Sequence, residues 1–200
     1  SLYGSSAFGG SINVNTKISS DKREIGLAYG GGTWNTSKYR ARYRSGKDLG
    51  DNLSLVIRTS QINSDGYRDN HSSKQNGMFF GLEHRGQKVT NQFRALVGYE
   101  NTELLWDGVY MTDIEDRTKR RAGYKAYTDD FLQQIYSLNT STKIKDNLYF
   151  KNVSYLVLGK GYYEVSKLGQ DFYSYNLDNI CIIYIKDNIC ILFMIEIIIL

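Results

Sequence analysis

The histidines and the acidic residues are the first side chains of this 200-residue chain to consider for chemistry. His71 and His84 are its two histidines, and no HExxH pattern or nucleophile–base pairing accompanies them. Asp113, Glu115 and Asp116 could hold calcium, but basic residues follow them directly, so we favour a solvated loop that neutralises its own charge. We expect no catalytic residue, no metal site and no cofactor, and therefore not an enzyme.

Arg40, Arg42 and Arg44 recur at a spacing of two, which places them on one face of an extended strand. Such a row could steer an anionic ligand. It could instead be neutralised by carboxylates of neighbouring segments, because an unpaired buried charge is costly. We favour the second interpretation.

Composition excludes several classes of protein. The net charge is +4 and is spread along the chain, whereas nucleic-acid binding favours a dense basic patch, so we expect no nucleic-acid partner. A mean hydropathy of −0.44 excludes a polytopic helical membrane protein. The chain has 17 tyrosines, 19 glycines and no proline, a composition that disfavours an all-helical fold.

Seven segments alternate between apolar and polar residues with a period of two, which predicts antiparallel strands with one apolar face. The segments are Glu24–Gly30, Lys38–Arg44, Asn52–Gln61, Asn76–Arg85, Val89–Tyr99, Leu132–Ile144 and Leu148–Leu158.

The connections between these segments alternate from the second onward between short polar turns and long loops, as in a transmembrane β-barrel. Tyr29, Tyr39, Tyr43 and Tyr99 lie near strand ends on the apolar set, where aromatic girdles belong. The fold class predicted is all-β, a partial antiparallel transmembrane barrel. An odd number of strands makes it incomplete and unable to close.

Residues 1–17, SLYGSSAFGGSINVNTK, resemble the end of the plug domain of TonB-dependent outer-membrane receptors. The residues that carry this plug-end motif are Tyr3, Gly4, Gly9, Gly10 and Asn13. Two further stretches are similar to parts of the same family: 65–69, DGYRD, and 158–164, LGKGYYE.

The resemblance implies a barrel of about 22 strands with a plug in its lumen. Residues 1–20 would be the end of the plug, and 21–176 the first barrel strands. The implied function is TonB-driven uptake of a ferric siderophore, haem, cobalamin or glycan at the cell outer membrane. Its partners would be outer-membrane lipid and lipopolysaccharide, the TonB complex and the small nutrient. The family's TonB box and most of the plug have no counterpart here, so we expect a truncated fragment without transport activity.

Residues 177–200 depart from the family pattern. They are rich in isoleucine, contain Cys181 and Cys190, and do not alternate. We interpret them as an anomalous, out-of-frame or otherwise non-native extension, with a membrane-anchoring or buried helix as the alternative.

Tyr67, Arg68, Trp106 and Tyr110 fall in the two long loops and are the candidate ligand-binding residues, because exposed aromatics and arginines on loops suit recognition. The aromatics could equally lie at the lipid headgroup boundary or pack loop against loop. Arg40, Arg42 and Arg44 would face the lumen. The alternative for the whole chain is a soluble, aromatic-rich β-sandwich that binds carbohydrate.

Overall fold

The computed structural model describes residues 16–104, 108–122, 127–165 and 188–199, with Val165 and the last range described by backbone alone. The plug-end residues Tyr3, Gly4, Gly9, Gly10 and Asn13 lie outside the described residues, as do Trp106 and Cys181.

The chain is all-β, and its strands form one antiparallel sheet whose order follows the sequence. The strands are β1 Glu24–Gly32, β2 Thr36–Arg44, β3 Leu53–Ser64, β4 Ser73–Arg85, β5 Val89–Glu103, β6 Tyr127–Lys145, β7 Leu148–Val165 and β8 Asn188–Ile199. β1 and β8 are the two edges of this open sheet. The all-β prediction and the prediction of an incomplete, unclosed sheet are confirmed.

The first seven strands are the predicted ones, while β8 lies in the segment interpreted as a non-native extension, with a helix as the alternative. Asn188–Ile199 pairs antiparallel with β7, from Gly159 opposite Asn188 to Leu148 opposite Ile199. Backbone pairing does not require alternation, and β-branched isoleucine favours extended structure. The helical alternative is therefore wrong for residues 188–199.

The register gives the sheet an apolar face and a polar face. Opposite residues of neighbouring strands share a face, so one row can be followed from Leu27 through Ala41, Thr59 and Met78 to Val97. The apolar face comprises Ile25, Leu27, Tyr29, Tyr39, Ala41, Tyr43, Leu53, Leu55, Ile57, Met78, Phe80, Leu82, Phe93, Ala95, Val97, Tyr99, Leu132, Tyr136 and Leu138.

The polar face contains most of the charged strand residues between β1 and β5. These are Glu24, Lys38, Arg40, Arg42, Arg44, Arg58, Glu83, Arg85, Arg94 and Glu100. The segment that precedes β1 packs on this face. Ile18 is 1% exposed and Val56 is fully buried, and both lie against Gly81. A Cβ on Gly81 would be 2.9 Å from Val56 Cγ1 and 3.0 Å from Ile18 Cγ1. Glycine is therefore required there for close approach.

The segment before β1 is also fixed at the β2–β3 turn. Gly46 has a φ of +59°, and a Cβ there would be 2.3 Å from the backbone nitrogen of Arg23. Arg23 forms an ion pair with Asp48 at 3.2 Å. No helix in the described ranges has the length and apolar character needed to cross a membrane.

Candidate functional site

The connections between strands lie at two ends of the sheet, and their lengths follow the predicted alternation only in part, since 45–52 and 65–72 each have eight residues. Residues 33–35, 65–72 and 104–126 connect strands at the first end, which we call the loop end. Residues 45–52, 86–88 and 146–147 connect them at the opposite, turn end.

Tyr67 is the centre of the contacts at the loop end. Its ring meets that of Trp34 edge-on, with centroids 5.4 Å apart. Arg120 Nε donates a hydrogen bond to the Tyr67 hydroxyl at 3.1 Å. The Arg121 guanidinium lies 5.9 Å from the centre of the same ring, within cation–π range. One tyrosine therefore joins three connections of the sheet.

Hydrogen bonds to backbone carbonyls also stabilise this junction. The Asp69 amide donates to the Arg121 carbonyl at 2.9 Å, and Arg121 Nε donates to the Tyr67 carbonyl at 3.2 Å. Arg68 Nη2 donates to the Ala122 carbonyl at 3.2 Å. We call this cluster the loop clasp, and it consists of Trp34, Tyr67, Arg68, Arg120 and Arg121.

A short helix orients the arginines of the loop clasp. The helix α1, Arg117–Arg121, begins after Asp116, whose carboxylate accepts from the amides of Thr118 and Lys119. A 3₁₀ turn, Met111–Asp113, precedes it. The helix holds Arg120 so that its Nη1 also donates to the Ile114 carbonyl at 2.7 Å.

The acidic residues of this loop have local partners. Asp113 lies 3.4 Å from Lys119 Nζ, and Asp116 caps α1. Within the described ranges no three histidine, cysteine or acidic residues come together as a metal site. The arrangement of Asp113 and Asp116 is that of a loop neutralising its own charge.

The contact between Tyr67 and Arg120 shifts the pKa values of both side chains. The hydrogen bond from Arg120 is the main cause that lowers the pKa of Tyr67 below its ordinary value of 10.0. The same bond is the main cause that raises the pKa of Arg120. The clasp thus places the guanidinium groups of Arg120 and Arg121 beside the aromatic rings of Trp34 and Tyr67.

The three arginines of β2 share the polar face, and Glu24 of β1 is their acidic neighbour. Arg42 Nη2 donates to Glu24 Oε1, and Arg44 Nε lies 3.8 Å from Glu24 Oε2. Arg40 is exposed and has no carboxylate within 4 Å in the described part of the chain. The pairing expected from neighbouring-strand carboxylates therefore covers two of the three.

A second polar chain crosses this face near the turn end. Glu83 is 3% exposed and accepts from Arg85 Nη2 at 2.7 Å and from Gln92 Nε2 at 2.6 Å. Arg94 Nη2 in turn donates to Gln92 Oε1 at 2.7 Å. Burial of this carboxylate is tolerated because both of its oxygens are hydrogen-bonded.

Of the four predicted ligand-binding residues, the structure brings Tyr67 and Arg68 together in the loop clasp. Tyr110 precedes the 3₁₀ turn and is 70% exposed, and Trp106 lies outside the described residues. Sequence reasoning assigned no binding role to Trp34, Arg120 or Arg121. Their proximity depends on contacts between separate loops, which residue spacing does not encode.

Comparisons with protein-family models, with curated proteins and with solved structures yield no match to this chain.

Proposed function

We propose that this chain is a wall segment of a TonB-dependent outer-membrane receptor that takes up a scarce nutrient. The observation that carries the proposal is the contrast between the two faces of the sheet. Large apolar side chains are exposed on one face, and arginines occupy the other.

The apolar face supports contact with lipid. Leu27 is 82% exposed, Ile25 70% and Met78 47%, and all three are on this face. Contiguous exposed apolar surface is unusual for a protein in water and normal for a strand facing hydrocarbon. β3 to β7 have 12 to 19 residues each, which is long enough to cross a bilayer when tilted.

The polar face supports a lumen that holds a plug. Residues 1–17 resemble the end of a plug domain, and Ile18, directly after them, is buried against Val56 and Gly81 on the arginine-bearing face. In a receptor, the chain that connects the plug to the first wall strand would pass along this face of the sheet.

The loop clasp supports ligand recognition at the outer end. An aromatic pair, Trp34 and Tyr67, stands beside the guanidinium groups of Arg120 and Arg121, and rigid aromatics with arginine are the residues that dominate binding energy. In the proposal this cluster contacts the nutrient before it enters the bore.

The carbohydrate-binding sandwich remains the second candidate, and the described residues favour the receptor. In them a single sheet is present, with no second sheet covering the apolar face. Tyr39, 49% exposed, belongs to that uncovered face.

Membrane partition tests the proposal. The chain is expressed with an outer-membrane export signal, and isolated membranes are washed with alkaline carbonate. We expect the chain to stay in the outer-membrane fraction and to need detergent for extraction. Release into the wash as a monodisperse, detergent-free protein would contradict the receptor and favour the sandwich.

An uptake assay distinguishes a wall segment, which cannot transport a nutrient alone, from a complete receptor. The open sheet encloses no path for a solute, so the chain expressed alone in a strain lacking a receptor should restore no TonB-dependent uptake of labelled nutrient. Restored uptake would contradict the proposal that it is a wall segment.

A further inference from the structure

We infer that the polar face carries a binding groove for a small, multiply charged anion with phosphate or carboxylate groups. The inference rests on the proposed function, in which this face lines the bore, and it names the class of solute. The groove has a volume of about 740 Å³. Six of its lining residues carry the argument: Arg40, Arg42, Arg58, Phe79, Leu96 and Gly98.

The charge of the groove is one-sided. Arg40, Arg42 and Arg58 line it, and none of the described residues that line it is a carboxylate. Arg42 shares Glu24 with Arg44, which leaves one carboxylate for two guanidinium groups. Arg58 has no ion pair among the described residues, and its buried Nε has no hydrogen-bond partner there. An anion would satisfy groups that the described chain leaves unsatisfied.

The arginines are held against their mutual repulsion. Arg42 and Arg58 are direct cross-strand partners, an arrangement that destabilises a sheet when the charges are alike. Arg58 is positioned by Phe79, with its guanidinium carbon 5.6 Å from the centre of the ring. Two like charges placed side by side are characteristic of a site that gains a counter-charge on binding.

Glycines leave room in front of these arginines. A Cβ built on Gly98 would meet no atom within 4 Å, and one on Gly26 would lie 3.5 Å from Arg42 Nε. The apolar side chains of Phe79 and Leu96 line the same groove. The groove therefore fits a compact anion that reaches the guanidinium groups directly.

The test uses the full chain in a non-ionic detergent, with calorimetric titration of inorganic tripolyphosphate and of citrate. Maltotriose serves as the neutral probe. Arg58→Gln removes a groove charge, and Gly98→Leu fills the groove without changing charge. Arg23→Gln is the control, since it removes the same charge from the segment before β1, where Arg23 pairs with Asp48 of the β2–β3 turn.

We expect saturable binding of at least one anion and none of maltotriose. Arg58→Gln and Gly98→Leu should each weaken binding about tenfold, with Arg23→Gln unchanged. Absence of saturable binding, or equal weakening by Arg23→Gln, would overturn the inference. Retention in carbonate-washed membranes is measured for the unsubstituted chain as well, so absence of saturable anion binding with retention intact contradicts the groove alone.

Discussion

Ile18 occupies the space that a side chain on Gly81 would need: its Cγ1 lies 3.0 Å from the position of a Cβ built on that glycine. This contact attaches the segment before β1 to the polar face of β3 and β4. Because of this contact, the residues directly before β1 approach the sheet from its polar face.

Gly81→Val should detach this segment. The added atoms would collide with Ile18 and Val56, and overpacking of this kind costs about 1–3 kcal/mol. Tryptic cleavage after Lys17 and Lys22 in detergent should become several-fold faster. Gly98→Val is the control, because a Cβ at Gly98 meets nothing within 4 Å. Equal cleavage of the two variants would show that Ile18 is not held by this contact.

Glu83→Gln should destabilise the turn end of the sheet. The buried carboxylate accepts from Arg85 at one oxygen and from Gln92 at the other, and the amide nitrogen that replaces one oxygen in glutamine cannot accept the bond made there. We expect the free energy of unfolding to fall by about 1–3 kcal/mol. Urea titration in detergent micelles measures this change. Asp51→Asn, at an exposed ion pair with Lys47, should change stability little. Similar losses in both variants would argue against the buried chain.

Tyr67→Phe should loosen the loop clasp while leaving its ring contacts. The change removes the hydrogen bond from Arg120 and keeps the ring for Trp34 and Arg121. Limited trypsinolysis at residues 117–121 should accelerate about fivefold, and further in Tyr67→Ala, where the ring is also lost. A cleavage rate that is unchanged in Tyr67→Ala would mean that the loops are held elsewhere. Tyr29→Phe, on the apolar face of β1, is the matched control.

Alkaline pH should strengthen the same contact. Arg120 lowers the pKa of Tyr67, so the ionised form is favoured in the folded loop. The resulting stabilisation is complete above the ordinary tyrosine value near 10 and is lost as the pH falls through the lowered folded value, so it is absent at neutral pH. NMR titration of ¹³Cζ-labelled tyrosine, assigned with Tyr67→Phe, should give a higher pKa for Tyr67 in Arg120→Gln. An unchanged value would contradict the assigned cause.

The sequence predicted the turn ends of the strands better than their loop ends. β4 and β5 end and begin at Arg85 and Val89 as predicted, but their paired region extends to Ser73 and Glu103 at the loop end. Alternation is lost there because both faces of the strands become polar. The backbone pairing continues where the pattern of side chains does not.

The spacing of Arg40, Arg42 and Arg44 predicted that they share one face of a strand. Neither β8 nor the loop clasp could be predicted from the sequence. A run of isoleucines has no period from which a strand could be identified. The meeting of Trp34 with Tyr67 requires the β1–β2 turn and the next loop to fold toward each other. The φ values of Trp34 and Asn35, +54° and +52°, shape that turn and have no marker such as glycine in the sequence.

The central claim is that the two faces of the sheet meet different solvents, and a neighbouring pair of positions tests it most directly. Val97 lies on the apolar face and Leu96 on the polar face of β5. Single Val97→Trp and Leu96→Trp variants are made with Trp34 and Trp106 replaced by phenylalanine, and are placed in liposomes of brominated lipid. We predict strong quenching of the tryptophan at position 97 and weak quenching of the one at position 96. Equal quenching at both positions, or stronger quenching at position 96, would contradict the account.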